Sequence, residues 1–323
     1  MTMKIVVSSL LLLAPITVVT AQYRLNTTAC GSPSPMTPGT FNNSTIGIAN
    51  LTREYGVWVP NTYDYNTTSK LIFSYHGAGG NIAKQRALDG LTEPAFNEDH
   101  IVVYLQGAMN ADYDTTWQGA PGAPADDITF TSALLDLIES QFCIDTKRIY
   151  ATGKSQGAGF VGRLACDPQL STRFAAFAPV SGAYYNADIT EKANCNPESM
   201  PIPCSPGRKN IPILAFHGGA DPTISYHGAF RKGACLPDIQ YWVKEWAKRE
   251  GLNTTASTVP TTNSVNGMNY TYGNDLVKHV YDGDNIPHDW PATFPNSDNG
   301  GQNLTSFNAT TWIMGFFNEH KLE

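Results

Sequence analysis

Arg148-Ile149-Tyr150-Ala151-Thr152-Gly153-Lys154-Ser155-Gln156-Gly157-Ala158-Gly159 reads as a β-rich run that turns through Gly-x-Ser-x-Gly into a helix. A serine on such a turn projects its Oγ from the end of the strand, which makes Ser155 a candidate nucleophile. A serine hydroxyl is a poor nucleophile at neutral pH, so the site also needs a base and donors facing the developing oxyanion. The turn aims the N–H of the next residue, Gln156, at that oxyanion position.

The flanking sequence alternates strand and helix patterns. Residues 55–59 and 71–75 are short β-rich runs, and 101–105 is a continuous apolar run of the kind buried on both faces of a sheet. Residues 81–98 have room for a broken helix. Over 127–142, Ile128, Phe130, Leu134, Leu135, Leu137 and Ile138 form an amphipathic stripe behind Asp126 or Asp127 as N-cap. Further strands are predicted at 149–152, 174–180, 211–216 and 276–281, with helices at 155–166, 238–250 and 310–318. Alternation of this kind predicts an α/β fold: a mostly parallel central sheet, helices on both faces, and chemistry beyond the C-terminal strand ends.

Four motifs sit at such ends. His76-Gly77-Ala78-Gly79-Gly80 follows 71–75 and can turn backbone donors toward a substrate carbonyl, with the Ala78 N–H paired to that of Gln156. The elbow at Ser155 is the second. His217-Gly218-Gly219-Ala220-Asp221-Pro222 places Asp221 where a carboxylate can orient an imidazole, although an Asp-Pro turn alone would look the same. The fourth runs from Asp282 to Pro291 and carries His288 on a loop free to reach the nucleophile. The chain order Ser155, Asp221, His288 is that of the α/β-hydrolase triad. Among the other histidines, His76 and His217 begin glycine turns and suit loop support, while His227 is the alternative base. Asp282, Asp284 and Asp289 are the alternative acids.

Residues 1–21 place Lys4 before an apolar run over 5–19 that ends at Val19-Thr20-Ala21, the pattern of a secretory signal peptide. Ser8, Ser9 and Pro15 interrupt the run, which is short for a bilayer span. Residues 22–323 are expected to form one catalytic domain. All six cysteines lie after the leader, and an even number in a secreted chain predicts disulfides. Cys195 and Cys204 are expected to close a local loop around Pro197, Pro201 and Pro203. Sequons at Asn26, Asn42, Asn43, Asn50, Asn66, Asn253, Asn269, Asn303 and Asn308 suit an extracellular glycoprotein. A net charge of −7 without Lys/Arg clusters argues against nucleic acid or an acidic membrane as partner. The cysteines show no Cys-x-x-Cys spacing, and the triad chemistry calls for no metal or organic cofactor.

The segments Tyr75-His76-Gly77-Ala78-Gly79-Gly80-Asn81, Thr116-Trp117-Gln118-Gly119-Ala120-Pro121, Asp126-Asp127-Ile128, the run from Cys143 to Gly153, His217-Gly218-Gly219-Ala220-Asp221-Pro222 and His288-Asp289-Trp290-Pro291 together carry a family likeness. From about Tyr55 onward the chain resembles the secreted carbohydrate-esterase group of fungal feruloyl esterases and polyhydroxybutyrate depolymerase-like esterases, within the α/β-hydrolase superfamily. The resemblance implies a triad of Ser155, Asp221 and His288. It also implies a serine esterase that releases ferulate and related hydroxycinnamates from plant cell-wall polysaccharides, with acetylxylan or polyhydroxybutyrate esters as alternatives. Trp117 and Trp290 are the expected stacking surfaces for an aromatic acyl group. Lys154 and Gln156 depart from the Phe/Met and Asn often found beside the group's nucleophile, and Pro287 replaces the usual glycine before its histidine. A catalytically inactive binding protein on the same fold is the reading of a different class.

Overall fold

A computed structural model describes residues 27–112 and 114–323. The expected signal peptide lies outside the described residues, as does the sequon at Asn26.

The chain opens with β1 (Phe41–Ile48), β2 (Leu51–Trp58), β3 (Ser69–Tyr75), α1 (Ile82–Asp89) and β4 (His100–Leu105). A two-stranded ribbon, β5 (Ala108–Met109) and β6 (Thr115–Thr116), leads to α2 (Asp127–Gln141), β7 (Ile144–Lys154), α3 (Gln156–Cys166) and β8 (Ala176–Val180). Then come β9 (Ile213–His217), the small hairpin β10 (Ala229–Arg231) and β11 (Ala234–Leu236), and α4 (Ile239–Arg249). The chain finishes with β12 (Ser257–Pro260), β13 (Met268–Tyr272), β14 (Val277–Tyr281) and α5 (Ala309–Glu319).

Ten strands form one sheet in the order β1-β2-β4-β3-β7-β8-β9-β14-β13-β12. The six from β4 to β14 run parallel, and antiparallel strands flank them on both edges. Central strands such as β4 and β8 are buried along their whole length, so they read as unbroken apolar runs. On one face Phe130, Leu134 and Ile138 of α2, Phe160 and Leu164 of α3, and Trp242 and Trp246 of α4 build the larger core. On the other, Ile82 of α1 and Ile313, Phe316 and Phe317 of α5 pack against Ile72, Val102, Tyr150 and Leu214. This is the predicted mostly parallel sheet with helices on both faces.

The edges are longer than the sequence suggests. β1 pairs along its whole length with β2 yet leaves most of its side chains in solvent, so it shows no apolar period. β12 is exposed at every residue. The helix foreseen over 81–98 stops at Asp89, because Gly90 takes the left-handed conformation (φ 62°) and its N–H caps the Arg86 carbonyl. Asp126 caps α2 through the Thr129 N–H.

Three disulfides join Cys30 to Cys143, Cys166 to Cys204 and Cys195 to Cys235. The expected Cys195–Cys204 bridge is therefore wrong. The segment between those cysteines turns at Asn196, which accepts from the Ser199 and Met200 N–H groups, and is not bridged to itself. One of its ends is fastened to the end of α3 and the other to β11. Among the described residues no helix is long and apolar enough to cross a membrane.

Candidate active site

β7 ends at Lys154, and Ser155 follows with φ 56° and ψ −118°, a left-handed conformation that β-carbon-bearing residues rarely adopt. The surrounding backbone holds it there. The Ser155 N–H donates to the Val180 carbonyl (3.0 Å), and the Ser155 carbonyl accepts from Gly159 (2.9 Å) and Ala183 (3.0 Å). A β-carbon at Gly157 would stand 2.3 Å from the Tyr75 carbonyl oxygen and 2.5 Å from that of His76. The second glycine of the motif is therefore required for the close approach of α3 to the end of β3.

The glycine loop after β3 abuts the serine: a β-carbon at Gly77 would lie 3.3 Å from that of Ser155. His76 organises this loop. Its Nε2 accepts from the Gly107 N–H (2.9 Å), which leaves the proton on Nδ1 to donate to the Gly77 carbonyl (2.7 Å). Thr115 ties down the next turn, accepting from the Gly79 N–H and donating to the Gly80 carbonyl. Gln156 is the first residue of α3, whose N-terminal N–H groups have no partner within the helix. Gly157, the next residue, abuts the Tyr75 and His76 carbonyls at the start of the glycine loop.

Burial holds the His76 imidazole neutral and lowers its pKa to about 4, against the Gly77 bond and aided by the charges of Arg53 and Lys84. The unfolded chain takes up this proton near 6.5, so the native state binds fewer protons between the two values. His76 therefore contributes stability that is complete above pH 6.5 and is lost as pH falls toward 4, a change of about 3 kcal/mol. The urea midpoint is expected to fall as pH drops across that window, while the His76 Cε1 resonance keeps its neutral shift until pH nears 4. A His76 resonance that titrates near 6.5 would contradict this.

The loop after β14 carries His288, whose Nδ1–H donates to Asp221 Oδ2 at 2.6 Å. Asp221 Oδ1 accepts from the backbone N–H groups of Thr223 (2.8 Å) and Ile224 (2.7 Å). A second imidazole, His217, lies with Nε2 3.2 Å from Asp221 Oδ2 and 2.7 Å from the Ile224 carbonyl. Burial opposes ionisation of Asp221, but hydrogen bonds from His217 and His288 outweigh it and hold the carboxyl well below the ordinary carboxylate range. Burial, then the Lys154 charge, lowers the His288 pKa against the pull of Asp221, so His288 is neutral near pH 7.

The alternatives from the sequence fall elsewhere. His227 is 83% exposed and faces Asp238. Asp284 is at the surface, bound by Tyr281 and Asn266. Asp282 is buried with neither oxygen hydrogen-bonded among the described residues, and burial followed by the charge of Asp289 keeps it protonated. Asp127 is not a cap but a buried partner of Arg53 (2.6 Å).

Trp117 and Trp290 need correction as substrate surfaces. They are 0% and 1% exposed, and their indole N–H groups bind the His76 carbonyl (2.7 Å) and Thr310 Oγ1 (3.0 Å). Each is an internal brace for a site loop, with no face left for a ligand. A cavity of about 620 Å³ runs along α3. Gln156 is the elbow residue that lines it, with Phe160, Arg163, Tyr184 and Trp242. Tyr184 stacks on Trp242 at 3.8 Å, and Gln156 Oε1 is buried without a partner among the described residues. No spacing in the sequence marks this cavity, because its walls come from α3, the 118–123 turn and the 183–205 segment.

No protein-family model matches the chain. Over 205 residues it is 29% identical to feruloyl esterase B of Piromyces equi, covering 62% of this chain and 36% of that protein. Over 199 residues it is 27% identical to a probable feruloyl esterase C of Aspergillus niger, covering 59% and 64%. These matches span about a third and just under two thirds of the relatives' own lengths. Among solved structures, an acetyl xylan esterase from Aspergillus awamori superposes with a TM-score of 0.53 at 15% identity, over 77% of this chain and 94% of that one. A thermostable esterase superposes with a TM-score of 0.50 at 15% identity, over 87% and 63%. With its mostly parallel sheet and its serine elbow the chain has the α/β-hydrolase fold, and its sequence is similar to those of fungal feruloyl esterases.

Proposed function

We propose that the chain is a secreted serine carboxylic-ester hydrolase that releases ferulate and related hydroxycinnamates from plant cell-wall polysaccharides. In this reading it is a single catalytic domain behind a secretory leader. The observation that carries the proposal is the Asp221–His288 pair at 2.6 Å, on a loop bonded to the residue that precedes a positive-φ serine. With Nδ1 engaged by Asp221, His288 has Nε2 left to take the Ser155 proton as Oγ attacks the ester carbonyl. The N–H groups of Ala78 and Gln156 receive the oxyanion, each worth about 3–4 kcal/mol in sites of this kind. His288 then protonates the leaving alcohol, and water releases the acyl group by the same steps in reverse.

The cavity along α3 supports an aromatic acyl group. Its lining includes Gln156, the residue after the nucleophile, together with Phe160 and the stacked Tyr184–Trp242 pair. The names of the relatives point to the same acyl class. In parallel assays on methyl ferulate, acetylated xylan and a short polyhydroxybutyrate, kcat/KM is expected to be at least about 10-fold higher for the ferulate. Preference for either of the other two would remove the feruloyl assignment and leave the esterase.

A further inference from the structure

Lys154 occupies the variable position directly before the nucleophile, where the motif itself requires no charge. Its ammonium is nonetheless inside the protein, with a side chain 6% exposed. Nζ donates to the His288 carbonyl at 2.9 Å and to Asp298 Oδ2 at 2.6 Å. The same Asp298 oxygen accepts the Trp290 N–H at 2.8 Å. Asn296 completes the fastening: its Nδ2 donates to the Trp290 carbonyl (2.9 Å), and its Oδ1 accepts the N–H groups of Asp298 and Asn299. A buried ammonium is costly unless it is paired and hydrogen-bonded, and here its partners all belong to the loop that carries His288.

We propose that Lys154 and Asp298 form a latch that sets the distance and facing of His288 relative to Ser155, making both positioning residues for ester hydrolysis. The nucleophile ends β7 and the base lies on a loop after β14, two strands separated in the sheet by β8 and β9. Asp221 orients the imidazole through Nδ1, whereas Lys154, covalently attached to Ser155, binds the main chain at His288. The latch also places a positive charge beside the base. The charged and titratable groups around His288 are Lys154 with Asp298 on the elbow side, Asp221 and His217 at the end of β9, and Asp289 and Asp282 on its own loop.

This inference rests on the serine-esterase reading, and one set of measurements separates the two. Wild type, Lys154→Met, Lys154→Arg and Asp298→Asn are compared for kcat and KM on methyl ferulate, for the pH profile of kcat/KM, and for labelling of Ser155 by a serine-directed phosphonate. Lys154→Met is expected to lower kcat about 10- to 100-fold with KM within about twofold, because a small misplacement of a general base is that costly. Its acid limb moves to higher pH, since a positive charge next to His288 is gone. Asp298→Asn also lowers kcat, but its acid limb moves to lower pH, because the ammonium has lost its counter-charge. Lys154→Arg recovers part of the rate. Parallel losses of kcat and thermal stability with an unmoved acid limb would make the pair merely structural and overturn the proposal, as would wild-type kcat in either charge-removing variant. If Lys154→Met does not fold, the opposite pH shift in Asp298→Asn still decides. Wild type that resists the phosphonate and hydrolyses no ester would sink the esterase reading itself.

Discussion

Ser155→Ala lowers kcat on methyl ferulate by about 10⁵- to 10⁶-fold, or about 7–8 kcal/mol in the barrier, while KM and the melting temperature barely change. The size of the loss follows from the absence of a substitute. The neighbouring hydroxyl, Ser181, is fully buried and donates to the Asp289 carbonyl at 2.9 Å, so it cannot approach a substrate. The unchanged stability follows from what Oγ does not do: it makes no capping bond to α3, and the bonds from Ser155 to Val180, Gly159 and Ala183 all use its backbone. Alanine keeps the β-carbon and meets the same φ of 56°, so the strained turn costs the variant no more than the native chain. A residual rate above water remains from the oxyanion donors and from binding. Retention of wild-type hydrolysis by the purified variant would remove Ser155 from the reaction, and loss of fold in circular dichroism would contradict the backbone argument.

Legibility in the sequence divided along a physical line. Strands β4 and β8 were readable because they are buried along their whole length, and β3, β7, β9 and β14 because each carries a buried, β-prone stretch. The four motif sites were readable because each must turn sharply at a strand end, and turns need glycine or a short polar side chain. β1 and β12 were not, since they are edge strands whose side chains mostly face water. The disulfide partners, the latch and the cavity depend on which segments meet after folding. Cys166 meets Cys204 across 38 positions, and Lys154 meets Asp298 across 144. The two tryptophans mislead for a related reason: an indole serves equally as a brace behind a loop or as a platform in front of it, and sequence position does not distinguish these.

Asp221→Asn is expected to lower kcat by about 10⁴-fold with little change in KM. The effect follows from how the carboxylate is held. Oδ1 accepts from Thr223 and Ile224 backbone N–H groups at 2.8 and 2.7 Å, so in the variant the amide oxygen keeps that place and its NH₂ takes the place of Oδ2. That NH₂ then faces Nδ1 of His288, which in the native chain is itself a donor at 2.6 Å. Two donors cannot share a hydrogen bond, so the imidazole shifts its proton to Nε2 and accepts at Nδ1. The nitrogen facing Ser155 now bears a proton and cannot take another. His217 tolerates the change better, because its Nε2–H has the Ile224 carbonyl at 2.7 Å as the nearer acceptor. Asp282→Asn is the control: its carboxyl is buried and protonated and makes no hydrogen bond to His288, so kcat should stay within about fivefold of wild type. If the two variants exchanged these outcomes, Asp282 would be the orienting acid and the path from Asp221 Oδ2 to the imidazole would have only a structural role.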